Sequence, residues 1–178
     1  MRSHRLFGRK SNRRLLPALL VLLAGCSGWF TSEKAPPCPR ITLVEGAEGV
    51  VRFAGEGRTR DDIAVEARII DVAGQCEFTD DQRRVTVEMQ LRIEGARGPA
   101  LETDDAPLSY FVAIVAPDGQ VLAREEFETA IPLDDDRAII GEELEYEIPL
   151  PEGRRAASYT LFIGLVVTEE ELEANRRR

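Results

Sequence analysis

Histidine is nearly absent from this sequence of 178 residues, since the only one, His4, lies in a basic N-terminal stretch. If that stretch is removed, the remaining chain has no imidazole to activate a serine or cysteine nucleophile or to ligate zinc. The glycines between residues 46 and 57 match neither the phosphate-binding nor the dinucleotide-binding loop pattern, and no helix is predicted after them. We therefore expect no histidine-dependent catalysis, no bound metal and no cofactor.

Long hydrophobic runs are also missing from the N-terminal region. The apolar run from Leu15 to Ala24, broken only by Pro17, is about ten residues long and too short to span a bilayer as a helix. It follows six basic residues and no acidic residue between positions 2 and 14. A basic leader and a short hydrophobic stretch are typical of a secretion signal, so residues 1–25 are interpreted as a signal peptide. A core helix with an incidental cysteine is the alternative.

The hydrophobic run ends in Leu23-Ala24-Gly25-Cys26. This tetrapeptide resembles the lipobox of bacterial lipoprotein precursors, which implies cleavage before Cys26 and acylation of its thiol. Ser27 follows Cys26 where an inner-membrane retention signal would place Asp. By resemblance to Gram-negative lipoproteins, this favours the outer membrane with the domain facing the periplasm. Several acyl chains would make such an anchor effectively permanent, whereas a single chain holds a protein only marginally.

Cysteine is scarce, with three residues in the chain. If Cys26 carries lipid, Cys38 and Cys76 remain in an oxidising compartment, and an even count there predicts a disulfide. The chain-entropy model puts the stabilisation from this loop at roughly 4 kcal/mol. Two free thiols are the alternative, and a metal site is disfavoured because no histidine lies nearby.

Removal of the leader leaves a strongly acidic protein. The chain has 23 basic and 32 acidic residues, and the leader contains six of the basic residues and none of the acidic ones. The remaining chain therefore has 17 basic and 32 acidic residues, which gives a net charge of −15. Proteins bind nucleic acids and anionic membrane surfaces through clustered Lys and Arg residues. We therefore expect no nucleic-acid partner, and membrane contact only through the lipid on Cys26.

Residues 26–39 are predicted to form the lipidated N-terminus and a tether, because Pro36, Pro37 and Pro39 favour extended backbone. Trp29 and Phe30 either lie at the membrane interface or pack against the folded domain.

After Pro39 the hydrophobic pattern has a period of two, which is typical of half-buried strands. The phase shifts at Ile69 and Ile70, which predicts a bulge. Segments 110–116 and 159–167 are apolar on both faces, which predicts central strands or a covered second face. Pro117-Asp118-Gly119 predicts a hairpin turn. Eight strands are predicted, near residues 41–45, 50–54, 63–72, 85–95, 108–116, 120–128, 143–150 and 158–168.

These elements predict one all-β domain over residues 40–168 and a charged C-terminal tail, 169–178. We expect an antiparallel β-sandwich of about eight strands, with the long connections near 97–107 and 132–142 crossing between its sheets. The tail contains Thr168 and Glu171 at capping-box spacing, which predicts a short helix that needs docking to be stable.

The segment from Gly153 to Tyr159, followed by an apolar strand, resembles the tyrosine-corner region of immunoglobulin-like and fibronectin-type domains. The resemblance implies an immunoglobulin-like sandwich. The Cys-Trp-Cys core of true immunoglobulin domains is absent, because the only Trp lies in the tether. A small lipocalin-like β-barrel is the alternative, although the Gly-x-Trp signature of lipocalins is missing.

Acidic residues form four runs in predicted loops: Asp61-Asp62, Asp80-Asp81, Asp104-Asp105 and Asp134-Asp135-Asp136. Paired carboxylates can catalyse glycoside hydrolysis, and clustered carboxylates can bind calcium, but the calcium-loop spacing does not occur. Loop acids are ordinarily solvated turn formers. The run at 134–136 is the main candidate for catalysis, because an apolar wall of Ile131 and Leu133 would desolvate one of its acids.

The sequence therefore predicts a membrane-anchored envelope lipoprotein that acts as a non-catalytic interaction or assembly module, with an envelope protein as its partner. A carrier of a small apolar ligand in a lipocalin-like barrel is the first alternative. A carboxylate-dependent hydrolase is the second.

Overall fold

The strands of the domain form two sheets. A computed structural model describes residues 35–177, so the predicted signal peptide, Cys26 and residues 27–34 of the predicted tether lie outside the described residues. Within this range the chain forms eight strands, two 3-10 turns (Arg60–Asp62 and Ala156–Ser158) and one helix. The strands are β1 (Arg40–Leu43), β2 (Gly49–Phe53), β3 (Ile63–Phe78), β4 (Arg84–Arg97), β5 (Asp105–Val115), β6 (Val121–Pro132), β7 (Arg137–Pro149) and β8 (Thr160–Leu165), and the helix is α1 (Glu169–Arg176).

Each sheet has four strands. The first sheet has the order β1-β8-β5-β6 and the second has the order β2-β3-β4-β7. Paired strands run antiparallel except β1 and β8, which are parallel. The predicted antiparallel sandwich of about eight strands is therefore confirmed. The barrel alternative is wrong, because β6 and β7 end separate sheets and are not hydrogen-bonded to each other.

The connections at 98–104 and 133–136 cross between the sheets, as predicted. The second is shorter than predicted, because residues 137–142 continue β7 and pair with β4. Strand β3 also runs past its predicted end at residue 72. Its last residues pair with β4, with Cys76 opposite Val87, and this long-range pairing extends the strand.

The predicted bulge and hairpin are both present. The register of β3 against β4 shifts between Ile69 and Asp71, so that Ile69 is 3% exposed while Ile70 is 40% exposed. Gly119 lies in the turn from β5 to β6 and has a φ of +85°, a backbone conformation that residues other than glycine rarely adopt.

Strands β5 and β8 are the inner strands of the first sheet, as their two-sided apolar pattern predicts. Their outer face is also partly covered. Ala47 packs over Gly164, where an added Cβ would lie 2.9 Å from the Ala47 side chain. The guanidinium of Arg124 lies 4.5 Å from the centre of the Phe111 ring.

The core lies between the sheets and contains side chains from both. Leu91 and Ile93 from the second sheet and Ile131, Leu161 and Ile163 from the first have 0% exposure. Burying a side chain of this size contributes roughly 1.5–3 kcal/mol. Apart from tyrosines, no residue between 35 and 177 with a polar or charged side chain is buried.

Helix α1 begins with the predicted capping box and docks on the domain. Thr168 Oγ1 accepts a hydrogen bond from the Glu171 backbone N–H at 3.2 Å, and Glu171 Oε2 accepts one from the Thr168 N–H at 2.7 Å. Glu171 also forms a 2.7 Å ion pair with Arg52 of β2. The Asn175 amide donates to the carbonyls of Gly46 and Gly49, both at 2.8 Å. Among the described residues, no helix has the length and apolar character needed to cross a membrane.

The chain enters β1 from one end of the sandwich, here called the N-terminal end. The hairpins at 79–83 and 116–120 lie at the same end, because β3 and β5 both finish there. The loops at 54–62, 98–104 and 133–136 lie at the other end, here called the far end.

Candidate functional site

Two tyrosines and two glutamates lie at the open side of the sandwich, where β6 and β7 are the outer strands. Tyr110 of β5 and Tyr146 of β7 are 1% and 8% exposed. Glu142 lies on the inward phase of β7, and Glu125 lies on the phase of β6 that contains buried Ile131. We call these four residues the Tyr–Glu seam.

The hydrogen bonds of the seam join one sheet to the other. The Tyr110 hydroxyl donates to Glu142 Oε2 at 3.4 Å, and the Tyr146 hydroxyl donates to Glu125 Oε2 at 3.4 Å. Thr129 of β6 donates to Glu142 Oε1 at 2.7 Å. Phe127 stacks on Tyr110 with ring centres 5.1 Å apart. The seam therefore links the two sheets at the side where no backbone hydrogen bonds join them.

The phenols of the seam are held in the protonated form. Burial, with the Glu142 carboxylate beside it, raises the pKa of Tyr110 to about 12. Burial and then the Glu125 carboxylate raise the pKa of Tyr146 further. Both phenols are hydrogen-bond donors at neutral pH and are too weakly acidic to supply a phenolate base.

The sequence contained a signal for the seam that the strand analysis missed. Glu142 has the same parity as Leu144 and Tyr146, so the alternating pattern placed a carboxylate on the buried face. Glu125 has the same parity as Phe127. Both carboxylates accept hydrogen bonds from hydroxyl groups of the opposite sheet, which provide the polar partners that an inward-facing charge needs.

The four aspartate runs lie in or beside connections, as predicted, but they are divided between the two ends. Asp80 and Asp81 lie at the N-terminal end, and the other runs lie at the far end. Hydrogen bonds from the Thr59 side chain and backbone lower the pKa of Asp62. Hydrogen bonds from the Thr79 side chain and the Arg83 backbone lower the pKa of Asp81 in the same way. These two carboxylates act as caps of local turns.

The apolar wall predicted beside Asp134–Asp136 does not desolvate these acids. Ile131 and Leu133 have 0% exposure because they point into the core, whereas the three aspartates are exposed. The prediction was wrong because β6 ends at Pro132 and the three aspartates lie in the exposed connection to β7, while Ile131 and Leu133 pack in the core.

One arginine side chain bridges two of the connections at the far end. Arg97 donates to the carbonyls of Leu133, Leu101 and Thr103, each at 2.8 Å. It also forms a 3.1 Å ion pair with Asp104. The carbonyls explain why Arg97 is only partly exposed. Between residues 35 and 177, no group of three or more His, Cys, Asp or Glu residues is arranged to hold a metal ion.

The predicted disulfide between Cys38 and Cys76 is present, with Cα atoms 5.8 Å apart. It joins the segment before β1 of the first sheet to the end of β3 in the second sheet. The predicted lipidation site, Cys26, lies outside the described residues.

Comparison of the sequence with protein-family models and with curated proteins found no match.

Proposed function

We propose that this protein is a lipid-anchored lipoprotein of the bacterial envelope and acts as a non-catalytic binding module. The lipid on Cys26 attaches the protein to the outer membrane, and the β domain recognises another envelope protein in the periplasm. The disulfide supports an oxidising compartment, because such bonds are rare where thiols are kept reduced.

The observation that carries the proposal is that the carboxylates of the described residues lie on open or partly open surfaces. No aspartate or glutamate between 35 and 177 is buried, and the aspartates of the run at 134–136 are exposed. A carboxylic acid that donates a proton near neutral pH needs burial or close like charges to raise its pKa. Outer strands and loop ends instead provide surface for recognition.

The core also weighs against the carrier alternative. Side chains from both sheets form one cluster between them, including Leu91, Ile131 and Leu161 at 0% exposure. A carrier would need space there for an apolar ligand. Two concavities of about 560 and 600 Å³ are instead lined by outward-facing polar residues of the second sheet, among them Glu88, Glu143 and Arg137.

Crosslinking in intact cells tests recognition. The full chain, processed by its own host, is expected to crosslink reproducibly to one envelope protein, and the Cys26→Ala variant is expected to lose both fatty-acid label and this crosslink. Label retained on Cys26→Ala would contradict the anchor. Absence of any crosslinked protein with the wild-type chain would contradict the binding module.

A substrate screen tests the absence of catalysis. Purified protein is expected to leave peptidoglycan and other glycan substrates intact, and the D134N/D135N/D136N variant is expected to behave identically. Turnover by the wild-type protein that disappears in this variant would replace the binding module by a carboxylate-dependent hydrolase.

A further inference from the structure

The outer edge of β7 is open along most of its length. Strand β7 runs from Arg137 to Pro149 and ends the second sheet, and within residues 35–177 its only sheet neighbour is β4. Apart from β4, no described segment forms a backbone hydrogen bond with residues 138–149. Every second residue of this strand therefore has N–H and C=O groups directed away from the sheet, as in any outer strand.

The outward-facing side chains along the second half of this edge are acidic, whereas Arg137, the half-exposed Ile139 and Gly141 occupy the outward positions of the first half. Glu143, Glu145 and Glu147 lie on one face of β7, and Glu88 of β4 stands directly opposite Glu145. Glu147 has an ion-pair partner, Arg84, at 3.1 Å. Glu88, Glu143 and Glu145 have no ion pair with any described residue, and like charges opposite one another destabilise a sheet. A cation beside β7 would relieve this repulsion.

The inward face of the same edge is apolar in part. Leu144 of β7 and Phe127 of β6 are only partly buried against the core. An extra strand beside β7 would place its inward side chains over this region and its outward side chains beside the glutamates. The added strand that best matches the edge of β7 therefore has Lys or Arg at every second position and apolar residues between them.

A second copy of this chain does not meet that description. Antiparallel pairing of two β7 strands through residues 143–147 would set glutamates against glutamates. Strand β6 carries Glu126 and Glu128 on its outward phase, so pairing of β7 with β6 of another copy would also oppose acids. The outward charge of β6 is partly neutralised, because Arg124 forms an ion pair with Glu126.

We propose that the edge of β7 binds an extended, basic segment of an envelope protein as a fifth strand of the second sheet. This inference rests on the proposed binding function and names its partner class and surface. Backbone hydrogen bonds to β7 supply affinity, and pairs between basic side chains and Glu143 or Glu145 supply selection.

The first test uses a synthetic nine-residue peptide of alternating lysine and valine, with blocked ends, and the full processed protein. The E143Q/E145Q variant is expected to bind it roughly three- to thirtyfold more weakly, the range expected for losing two partly exposed ion pairs. The matched control, E126Q/E128Q, removes the same charge from the neighbouring outer strand and is expected to bind like the wild type. Equal weakening in both variants, or no binding to the wild type, would overturn the proposal.

The second test separates strand addition from simple attraction between charges. The same peptide N-methylated at every backbone amide keeps its lysines but has no N–H donors, and it is expected to lose binding. Amide exchange in residues 138–149 is expected to slow only with the unmethylated peptide. Undiminished binding of the methylated peptide would contradict the added strand.

Crosslinking in cells distinguishes failure of this inference from failure of the proposed function. If crosslinking to the partner falls in the E143Q/E145Q variant while E126Q/E128Q keeps the wild-type yield, the inference stands. If E143Q/E145Q crosslinks a reproducible partner with the wild-type yield, the inference is wrong and the binding function survives. If the wild-type chain gives no partner, the proposed function itself fails.

Discussion

At the scale of single residues, the seam shows how polar groups are accommodated at the side of an apolar core. Tyr110 and Tyr146 bury their rings, and their hydroxyls reach carboxylates from the opposite sheet. Amphipathic side chains suit this boundary, because the ring packs in the core while the hydroxyl finds a polar partner. The seam therefore contributes to packing and to the joining of the sheets at once.

The raised pKa values predict a loss of stability in alkali. An unfolded tyrosine has a pKa of about 10, while Tyr110 in the folded protein has a pKa of about 12 and that of Tyr146 is higher still. Between these values the unfolded chain releases protons that the folded chain retains, so the free energy of unfolding falls as the pH rises from 10 through 12. Below pH 10 this contribution is fully present.

Urea denaturation between pH 8 and 12 measures this effect. The wild type is expected to lose stability steeply above pH 10, and the Y110F/Y146F variant is expected to lose less over the same interval. After the basic N-terminal stretch the chain has a single lysine, Lys34, so few other groups titrate there. The same slope in both proteins would show that the seam does not control the alkaline limit.

At the scale of single elements, close approach between the sheets depends on a glycine in β4. An added Cβ at Gly95 would lie 2.8 Å from Ile131 Cδ1 and 2.9 Å from Ile131 Cγ2. Ile131 is fully buried, so it has little room to move. Gly141 in β7 has nothing within 4 Å of the same position.

We expect Gly95→Ala to lower the free energy of unfolding by about 1–3 kcal/mol through overpacking. Gly141→Ala serves as the control, and it is expected to be neutral or to stabilise by up to about 1 kcal/mol, because alanine costs less conformational entropy in a strand. Urea denaturation of both variants provides the measurement. Equal effects would mean that Ile131 can shift without cost.

Helix α1 depends on one glutamate that serves two partners. Glu171 accepts the Thr168 N–H of the capping box and pairs with Arg52 of β2. Its neighbour Glu170 lies in the same turn and is exposed.

We expect Glu171→Ala to weaken the helix by about 1 kcal/mol, from the loss of the cap and of a partly exposed ion pair. Faster amide exchange in residues 171–176 would report the change, while Glu170→Ala is expected to leave exchange nearly unaltered. Equal acceleration in the two variants would indicate that docking, rather than Glu171, holds α1.

At the scale of the whole molecule, the disulfide joins the two sheets where the chain enters the domain. Cys38 and Cys76 close a separation of 38 residues and connect the segment before β1 to the end of β3. A cross-link of this span stabilises mainly by restricting the unfolded chain.

We expect the C38S/C76S variant to lose up to roughly 4 kcal/mol of stability, with a lower Tm. Mass measurement of the alkylated wild-type domain should show no adduct before reduction and two after it. Two adducts without reduction would contradict an intact bond in the protein as it exists in the cell.

Much of the fold followed from the sequence because its causes are local or periodic. Alternating segments and segments apolar on both faces placed the strands, the phase shift at Ile69 and Ile70 placed the bulge, and Pro117-Asp118-Gly119 placed the hairpin. The capping-box spacing placed α1, and the two cysteines that remain if Cys26 is lipidated gave the Cys38–Cys76 pair. Each of these signals is read from nearby residues or from a count.

Strand order, strand ends and the seam were decided only by the tertiary structure. Pairing with β4 extends β7 so that it begins at Arg137, before its predicted start. Pairing with β4 also extends β3 to Phe78, beyond its predicted end. Glu125 and Glu142 became partners of Tyr146 and Tyr110 only because β6 and β7 ended their sheets on the same side. Sequence alternation gives the face on which a side chain lies, whereas its neighbours across the sandwich depend on contacts between residues far apart in the chain.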